Sequence, residues 1–196
     1  MKILFSNKDF IICIKPVGLD SEKEVPEKLK ILYPSEIYPV HRLDQNVSGI
    51  MIYARNKKYA AELSKAIQDG NMIKEYVALV HGSIHEEDTW EDYLFKDSHK
   101  NKVYVVKRIR KGVKKAKLSW QRIKTVNDCS LVHIRLYTGR SHQIRVQFSS
   151  RGYPLVGDHK YGSKSESKIP YLYSCKLTFP YHGEMLSFES YPIWAQ

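Results

Sequence analysis

The chain has 196 residues and a formal net charge of +11, from 32 lysine and arginine residues against 21 aspartate and glutamate residues. Its hydrophobic content of 42% excludes a disordered chain, and its length favours a single domain over residues 1–196. No apolar run approaches the roughly 18 residues that a membrane-spanning helix needs, and the N-terminus lacks the pattern of a signal peptide. We therefore expect a cytoplasmic protein, monomeric by default.

Short apolar runs separated by turn-like segments indicate strands near the start of the chain. The run FIICIKP, 10–16, has the length of a strand and ends at a proline. The polar stretch 22–34 contains two prolines and carries no predicted element. The segment GIMIYARN, 49–56, then predicts a buried strand.

A helix and a strand are predicted next. Residues Lys58 to Asp69 place apolar side chains at near-helical spacing, are rich in helix formers and are followed by Gly70, a residue type common at helix C-termini. Residues Ile73 to Val80 predict a strand in which Lys74 and Tyr76 share one face.

The second half of the chain is dominated by predicted strands. Residues 84–97 are acidic and are interpreted as a loop. A short helix is predicted after Ser141, which is expected to cap it, and Gly152 is expected to stop it. The predicted strands are VYVV (103–106), LSWQRI (118–123), SLVHIRLY (130–137) and YLYSCKLTF (171–179).

These elements predict an α+β fold. Strands outnumber helices, and several neighbouring strands are joined by connections too short for a crossover helix. We therefore expect a mixed, mainly antiparallel β-sheet with a few flanking helices.

A dense basic run indicates a polyanionic partner. Seven of the eleven residues in KRIRKGVKKAK, 107–117, are basic. Each phosphate neutralised by such a residue releases counterions, so RNA or DNA is the favoured partner. The alternative is a solvated hairpin that keeps the protein soluble, and a membrane surface is disfavoured because the run has no apolar helical face. The basic residues are Lys107, Arg108, Arg110, Lys111, Lys114, Lys115 and Lys117.

Four segments together resemble the RluA-type pseudouridine synthases. They are IICIKPVG (11–18), HRLDQNVSG (41–49), KEYVALVHG (74–82) and TGRSHQIRVQFSSRGYPLVGDHKYG (138–162). Their shared order makes the resemblance specific. It implies the pseudouridine synthase fold with a central RNA-binding cleft, and isomerisation of uridines in ribosomal or transfer RNA. Many relatives carry an S4-type RNA-binding domain before the catalytic core. We expect none here, which slightly favours transfer RNA or a short stem-loop.

The reaction implied by the resemblance places specific demands on side chains. Pseudouridine formation breaks the N1–C1′ bond and forms a C5–C1′ bond with no net loss of atoms, so neither a cofactor nor a metal is expected. An ionised carboxylate is needed near the sugar, as nucleophile or as base, and Asp44 matches the family's aspartate. By the same resemblance, Arg145 is its charge partner and Tyr76 is the pocket tyrosine that stacks on the target base.

Four further residues are candidate RNA contacts. The resemblance implies that Arg42 enters the RNA stack in place of the flipped nucleotide. His41 contacts RNA or hydrogen-bonds its own loop, with the structural role favoured. For Arg140 and His142, phosphate contact and loop scaffolding are equally favoured. Asp158 is interpreted as a turn-former.

The chain departs from the family pattern at Val47, where threonine is usual, at Gln147, where histidine is usual, and at Tyr173-Ser174, where His-Ala is frequent.

Two other function classes remain open at this point. One is an RNA-binding protein of the same fold that lacks the reaction. The other is a glycoside hydrolase, which is disfavoured because no convincing second acid is placed to protonate a leaving group.

Overall fold

The computed structural model describes all 196 residues and contains eleven strands and three α-helices. The strands are β1 (Lys2–Ser6), β2 (Phe10–Lys15), β3 (Tyr38–Pro39), β4 (Ser48–Ala54), β5 (Ile73–His81), β6 (Glu87–Asp97), β7 (Lys102–Val106), β8 (Val113–Val126), β9 (Cys129–Leu136), β10 (Leu172–Tyr181) and β11 (Glu184–Glu189). The helices are α1 (Glu24–Leu32), α2 (Lys57–Gln68) and α3 (Gln143–Ser149), with short 3-10 turns at His159–Tyr161 and Ile193–Ala195.

The chain divides into two compact units. The first comprises residues 1–74 with 173–194 and 196, and the second comprises residues 75–172 with 195. The strands pair mainly antiparallel, and β4 pairs parallel with β10. The predicted α+β class with a mixed, mainly antiparallel sheet is thereby confirmed.

In the first unit, β2 and β4 form the centre of the sheet. β1 and β4 flank β2, β10 pairs with β4, and β11 extends β10. The core is built from alternate residues of these strands and from the inner face of α2. Each fully buried side chain of this kind stabilises the fold by roughly 1.5–3 kcal/mol. The cluster includes Phe10, Ile12, Ile50, Ile52, Leu63, Leu177 and Phe179.

The α2 prediction is confirmed within one residue at each end. Asn56 caps the helix, because its side-chain oxygen accepts a hydrogen bond from the Tyr59 N–H at 2.8 Å. Gly70 follows the helix with φ +75°, a conformation that glycine adopts without strain.

The polar stretch 22–34 is not a loop but forms α1. Val25, Pro26 and Leu29 are buried on one side of it, so the sequence contains an apolar face that its many charges obscured. Asp20 organises the start: its carboxylate accepts from the N–H groups of Glu22 and Lys23. Pro26 lies in the first turn, where an N–H has no intrahelical partner in any case.

In the second unit, the strand order is β5-β9-β8-β6-β7. α3 packs on one face of this sheet, where Val146 contacts a cluster formed by Leu94, Val103 and Ala116. Phe148 extends the contact, since its ring lies 4.7 Å from that of Trp90. The helix is therefore held by apolar burial along most of its length.

The prediction of a loop over residues 84–97 is wrong for residues 87–97, which form β6. Trp90 and Leu94 on this strand are buried beneath α3. The acidic residues between them do not prevent pairing, because Glu91 forms ion pairs with Lys115 and Lys117 on the neighbouring β8.

The short helix after residue 141 is confirmed as α3, but Ser141 does not cap it. The residue before the helix is His142, in the left-handed conformation with φ +49° and without a side-chain cap. Gln143 instead folds the preceding loop onto itself: its side-chain oxygen accepts from the Arg140 N–H, and its amide donates to the Lys117 carbonyl. Gly152, with φ +84°, follows the end of the helix.

None of the helices combines the length and the apolar character needed to span a membrane.

Candidate active site

The loop that carries Asp44 is held by a buried lysine. Lys15, at the end of β2, is fully buried. Its ammonium donates to the carbonyl oxygens of Pro16 at 2.9 Å, Leu19 at 2.9 Å and Gln45 at 3.3 Å. An ammonium has three N–H donors, so these three acceptors match its capacity. Lys15 thereby joins the loop after β2 to the residue that follows Asp44.

The same two loops are joined by further hydrogen bonds. The Gly18 N–H donates to the Gln45 carbonyl at 2.8 Å, and the Gln45 side chain donates to the Gly18 carbonyl at 2.8 Å. On the other side of Asp44, Leu43 exchanges hydrogen bonds with the hydroxyl of Ser21. The backbone on both sides of Asp44 is therefore fixed, while its carboxylate is partly exposed.

The electrostatics of Lys15 and Asp44 are linked. Burial lowers the pKa of Lys15 from 10.5 to about 8, and the negative charge of Asp44 is the strongest of the effects that oppose this shift. The loop therefore supplies a positive charge near the candidate catalytic acid from within its own unit.

Val47 and Gly49 complete this loop. Val47, one of the departures from the family pattern, is 2% exposed and contributes an apolar anchor. Gly49 has φ +128°, and a Cβ there would lie 2.4 Å from the Ser174 carbonyl oxygen. The parallel pairing of Gly49 with Ser174 therefore requires glycine.

His41 and Arg42 occupy different environments. The Nε2 atom of His41 accepts from the Ile52 N–H at 3.3 Å. Burial, together with the positive charge of Lys74, lowers the pKa of His41 from 6.5 to about 3, so the imidazole is neutral. Arg42 is exposed and donates to the Glu22 carboxylate at 2.6 Å. His41 thus hydrogen-bonds the backbone of β4, and a contact of His41 with RNA stays a prediction.

In the second unit, Arg145 forms a buried bidentate ion pair. Its guanidinium donates from Nε and Nη2 to the two carboxylate oxygens of Asp158, at 2.6 and 2.8 Å. Arg145 is 4% exposed and Asp158 is 1% exposed. The interpretation of Asp158 as a turn-former is therefore incomplete: its carboxylate is the partner of a candidate catalytic residue. In the sequence, this role of Asp158 was indicated only by the segment GDHKYG, which lies within the fourth segment that resembles the family.

Tyr76 lies on β5 and is 5% exposed. It belongs to the second unit with Arg145, whereas Asp44 belongs to the first.

The remaining residues of the HQIR segment are ordered by neighbouring strands. Arg140 is exposed and donates from Nε to the Lys115 carbonyl at 2.9 Å. His142 is half-buried, with Nδ1 2.8 Å from the hydroxyl of Tyr161. Gln147, in place of the family's histidine, donates to Asp92 at 2.7 Å and so attaches α3 to β6.

The basic run 107–117 divides into two parts. Residues 107–112 connect β7 and β8, and the cations there are exposed. Lys115 and Lys117 lie on β8 and pair with Glu91. Arg110 lies over the ring of Phe95 at 4.6 Å. The exposed cations outside these contacts are Lys107, Arg108, Lys111 and Lys114.

Comparisons with known proteins agree with this geometry. The family model described as RNA pseudouridylate synthase matches residues 9–150. The chain is 32% identical over 204 residues to the ribosomal large subunit pseudouridine synthase C of Buchnera aphidicola subsp. Baizongia pistaciae, with 95% of the chain and 62% of that protein covered. It is 28% identical to an uncharacterized RNA pseudouridine synthase of Haemophilus influenzae, with 100% and 89% covered.

The fold is also that of solved structures. Human RNA Pseudouridylate Synthase Domain Containing 1 superposes with a TM-score of 0.84 at 23% identity, with 97% of this chain and 83% of that chain covered. The chain spans less than two thirds of the length of the Buchnera relative. The family match covers most of the chain and contains Asp44, Tyr76 and Arg145. The chain therefore belongs to the RNA pseudouridylate synthase family.

Proposed function

We propose that this protein isomerises uridine to pseudouridine in RNA, with Asp44 as the essential carboxylate. The observation that carries the proposal is the family match over residues 9–150, which contains the aspartate, the tyrosine and the arginine in the family's order. The buried Lys15 supports it, because its ammonium fixes the Asp44 loop through backbone carbonyl oxygens.

Asp44 acts at the sugar of the target nucleotide. The N1–C1′ bond breaks, the uracil turns, and C5 bonds to C1′. The proton lost from C5 is balanced by the proton gained at N1, so no atom is lost and no electron is transferred. The carboxylate serves as nucleophile or as base in this step. Its partial exposure gives a flipped nucleotide access to it.

Arg145 supplies a positive charge for the reaction, and Tyr76 contacts the flipped base. Asp158 binds the Arg145 guanidinium through two parallel hydrogen bonds, from Nε and Nη2. The bidentate pair also keeps this cation from moving when RNA enters. Tyr76 supplies an aromatic face on which a base stacks, and a phenol that reaches the C5 proton.

Large-subunit ribosomal RNA is the proposed substrate. Two of the relatives, from Buchnera aphidicola and Nitrosomonas europaea, are named ribosomal large subunit pseudouridine synthases C and D. The exposed cations of residues 107–114 contact RNA phosphates. Arg42 leaves its ion pair with Glu22 and enters the RNA stack. Arg140 adds a further positive charge at the loop before α3.

The test uses unmodified transcripts of large-subunit ribosomal RNA, with transfer RNA transcripts as the second arm. Pseudouridine is detected by chemical mapping and mass analysis. Asp44→Asn is expected to abolish product, whereas Asp69→Asn, at the exposed end of α2, leaves it unchanged. Product that persists in Asp44→Asn contradicts the role of the aspartate. RNA binding without product on any transcript instead supports a non-catalytic RNA-binding protein.

A further inference from the structure

Three aromatic side chains, Tyr93, Phe95 and Tyr104, form an aromatic face on the sheet of the second unit. Phe95 on β6 lies directly opposite Tyr104 on the edge strand β7, and opposed residues of an antiparallel pair share a face. Tyr93 lies two residues before Phe95 and therefore on the same face. Tyr93 is 36% exposed and Tyr104 is 37% exposed. Two neighbouring phenol rings are thus accessible.

The aromatic face lies on the side of the sheet that α3 does not cover. Leu94, between Tyr93 and Phe95, belongs to the cluster that packs against Val146 of α3. Successive side chains of a strand point to opposite faces, so the two β6 aromatics point away from the helix that carries Arg145. The aromatic face is therefore separate from the core beneath α3 and from the surroundings of Arg145.

The basic run is folded onto this face. The Cζ atom of Arg110 lies 4.6 Å from the centre of the Phe95 ring, which is the arrangement of a cation–π contact. The backbone also approaches at Gly112, where a Cβ would lie 3.6 Å from the same ring. The connection between β7 and β8 therefore packs against the aromatic face and brings its cations next to the exposed rings.

The charge around the aromatic face is complementary to a chain of phosphates. From Lys102 to Lys117 the chain contains eight lysine and arginine residues and no aspartate or glutamate. Glu91, two residues before Tyr93, is paired with Lys115 and Lys117. Cations alone suit any polyanion, but accessible aromatic rings beside them are how proteins bind unpaired bases, which stack on the rings while the cations follow the phosphates. The combination favours single-stranded RNA.

We propose that the aromatic face binds an unpaired segment of the RNA substrate. The rings of Tyr93 and Tyr104 stack on its bases, and Phe95 holds Arg110 beside them for the phosphates. This inference rests on the proposed function, because it takes RNA as the substrate, and it adds a contact on the side of the sheet opposite α3. The contact raises the affinity for RNA and takes no part in the reaction.

Two oligomers of equal charge separate stacking from phosphate contact. One is oligouridine of roughly 12 nucleotides, and the other has the same length and phosphates but base-free tetrahydrofuran sugars. Replacing Tyr93 and Tyr104 together by leucine is expected to weaken oligouridine binding about fivefold or more and to leave binding of the base-free chain unchanged. The log–log salt slope stays that of wild type, because no cation is removed.

Two control variants accompany this measurement. Replacing Tyr93 and Tyr104 together by phenylalanine keeps both rings and is expected to keep the wild-type affinity for oligouridine. Tyr33→Leu, at a partly buried tyrosine of the first unit that lies under Arg55, changes neither affinity. On a large-subunit ribosomal RNA transcript, the leucine variant should raise KM about fivefold at unchanged kcat.

Carbon-13 NMR of labelled tyrosine rings tests the wild-type protein without relying on the folding of the leucine variant. The ring signals of Tyr93 and Tyr104, assigned with the single phenylalanine variants, are expected to shift with oligouridine and much less with the base-free chain. Equal shifts with the two chains, or wild-type affinity for oligouridine in the folded leucine variant, overturn the inference. Absence of pseudouridine with the wild-type protein contradicts the proposed function instead and leaves the binding result valid.

Discussion

The Asp44 loop and the Arg145 turn hold opposite charges in opposite ways. Asp44 keeps a partly exposed carboxylate, and the neighbouring backbone is fixed by the ammonium of Lys15 through carbonyl oxygens. Arg145 is itself buried and is held directly by a carboxylate and an aromatic ring. At Asp44 the loop backbone is immobilised and the charge stays accessible, whereas at Arg145 the charged side chain itself is immobilised. Substitutions around the two residues should therefore have different kinds of effect.

The largest effect is expected at Asp158. Asp158→Asn removes the carboxylate that binds a buried guanidinium at two atoms and is expected to lower the free energy of unfolding by about 3–5 kcal/mol. Urea unfolding of the purified protein measures this change. Adding Arg145→Met to the same chain should recover part of the loss, since the buried charge is then removed together with its partner. A variant as stable as wild type would show that the pair is not what holds the turn.

Lys15 gives the Asp44 loop a dependence on pH. Its pKa is about 8 in the folded protein and 10.5 in the unfolded chain, so between these values the unfolded chain binds more protons. The free energy of unfolding therefore rises with pH through this window, by up to about 3 kcal/mol from this group. Lys15→Met should lack this rise. The comparison is made from pH 7.5 to 9. Cys13, whose pKa is raised from 9.0 to about 12, is present in both proteins, so its opposite contribution near pH 9 cancels in the difference.

A rise in Lys15→Met as steep as that in wild type would refute the assignment of this pH dependence to Lys15. Lys74, whose pKa burial also lowers, is present in both proteins and cancels in the difference.

The exposed cations of the basic run should matter for RNA and not for folding. Replacing Lys107, Arg108 and Lys111 together by alanine is expected to weaken binding of a ribosomal RNA transcript and to reduce its log–log salt slope by roughly 0.7–0.9 per lost contact. The matched control variant carries Lys115→Ala and Lys117→Ala, because these two lysines are already paired with Glu91. Filter binding at several salt concentrations measures the slopes. Equal slopes in the triple variant and wild type would remove this surface from the proposed RNA contacts.

The smallest effect is expected where Arg42 meets Glu22. The pair is exposed, so Glu22→Gln should change the free energy of unfolding by no more than about 1 kcal/mol. The same change releases Arg42 and should strengthen RNA binding by a few-fold if Arg42 enters the RNA. Thermal unfolding and a binding titration distinguish the two quantities. Weaker RNA binding in Glu22→Gln would indicate that the ion pair, rather than the released arginine, is the binding-competent arrangement.

Sequence reasoning worked where the signal was local and failed where partners were distant. α2 was predicted because its apolar spacing, its helix formers and Gly70 all lie within one segment. α1 and β6 were missed because their charged residues outnumber the few that are buried. In β6 the acidic Glu91 is compatible with a strand only because Lys115 and Lys117 lie opposite it on β8.

The sequence by itself determined the α+β class, the family motifs and the identity of the candidate residues Asp44, Tyr76 and Arg145. These depend on residue types in a fixed order along the chain. Only the tertiary structure decided that Asp158 binds Arg145 and that Lys15 fixes the Asp44 loop. Both interactions place charge in a water-excluded environment, where a charge without a partner is strongly unfavourable. Which partner satisfies it depends on contacts between segments that the order of residues does not specify.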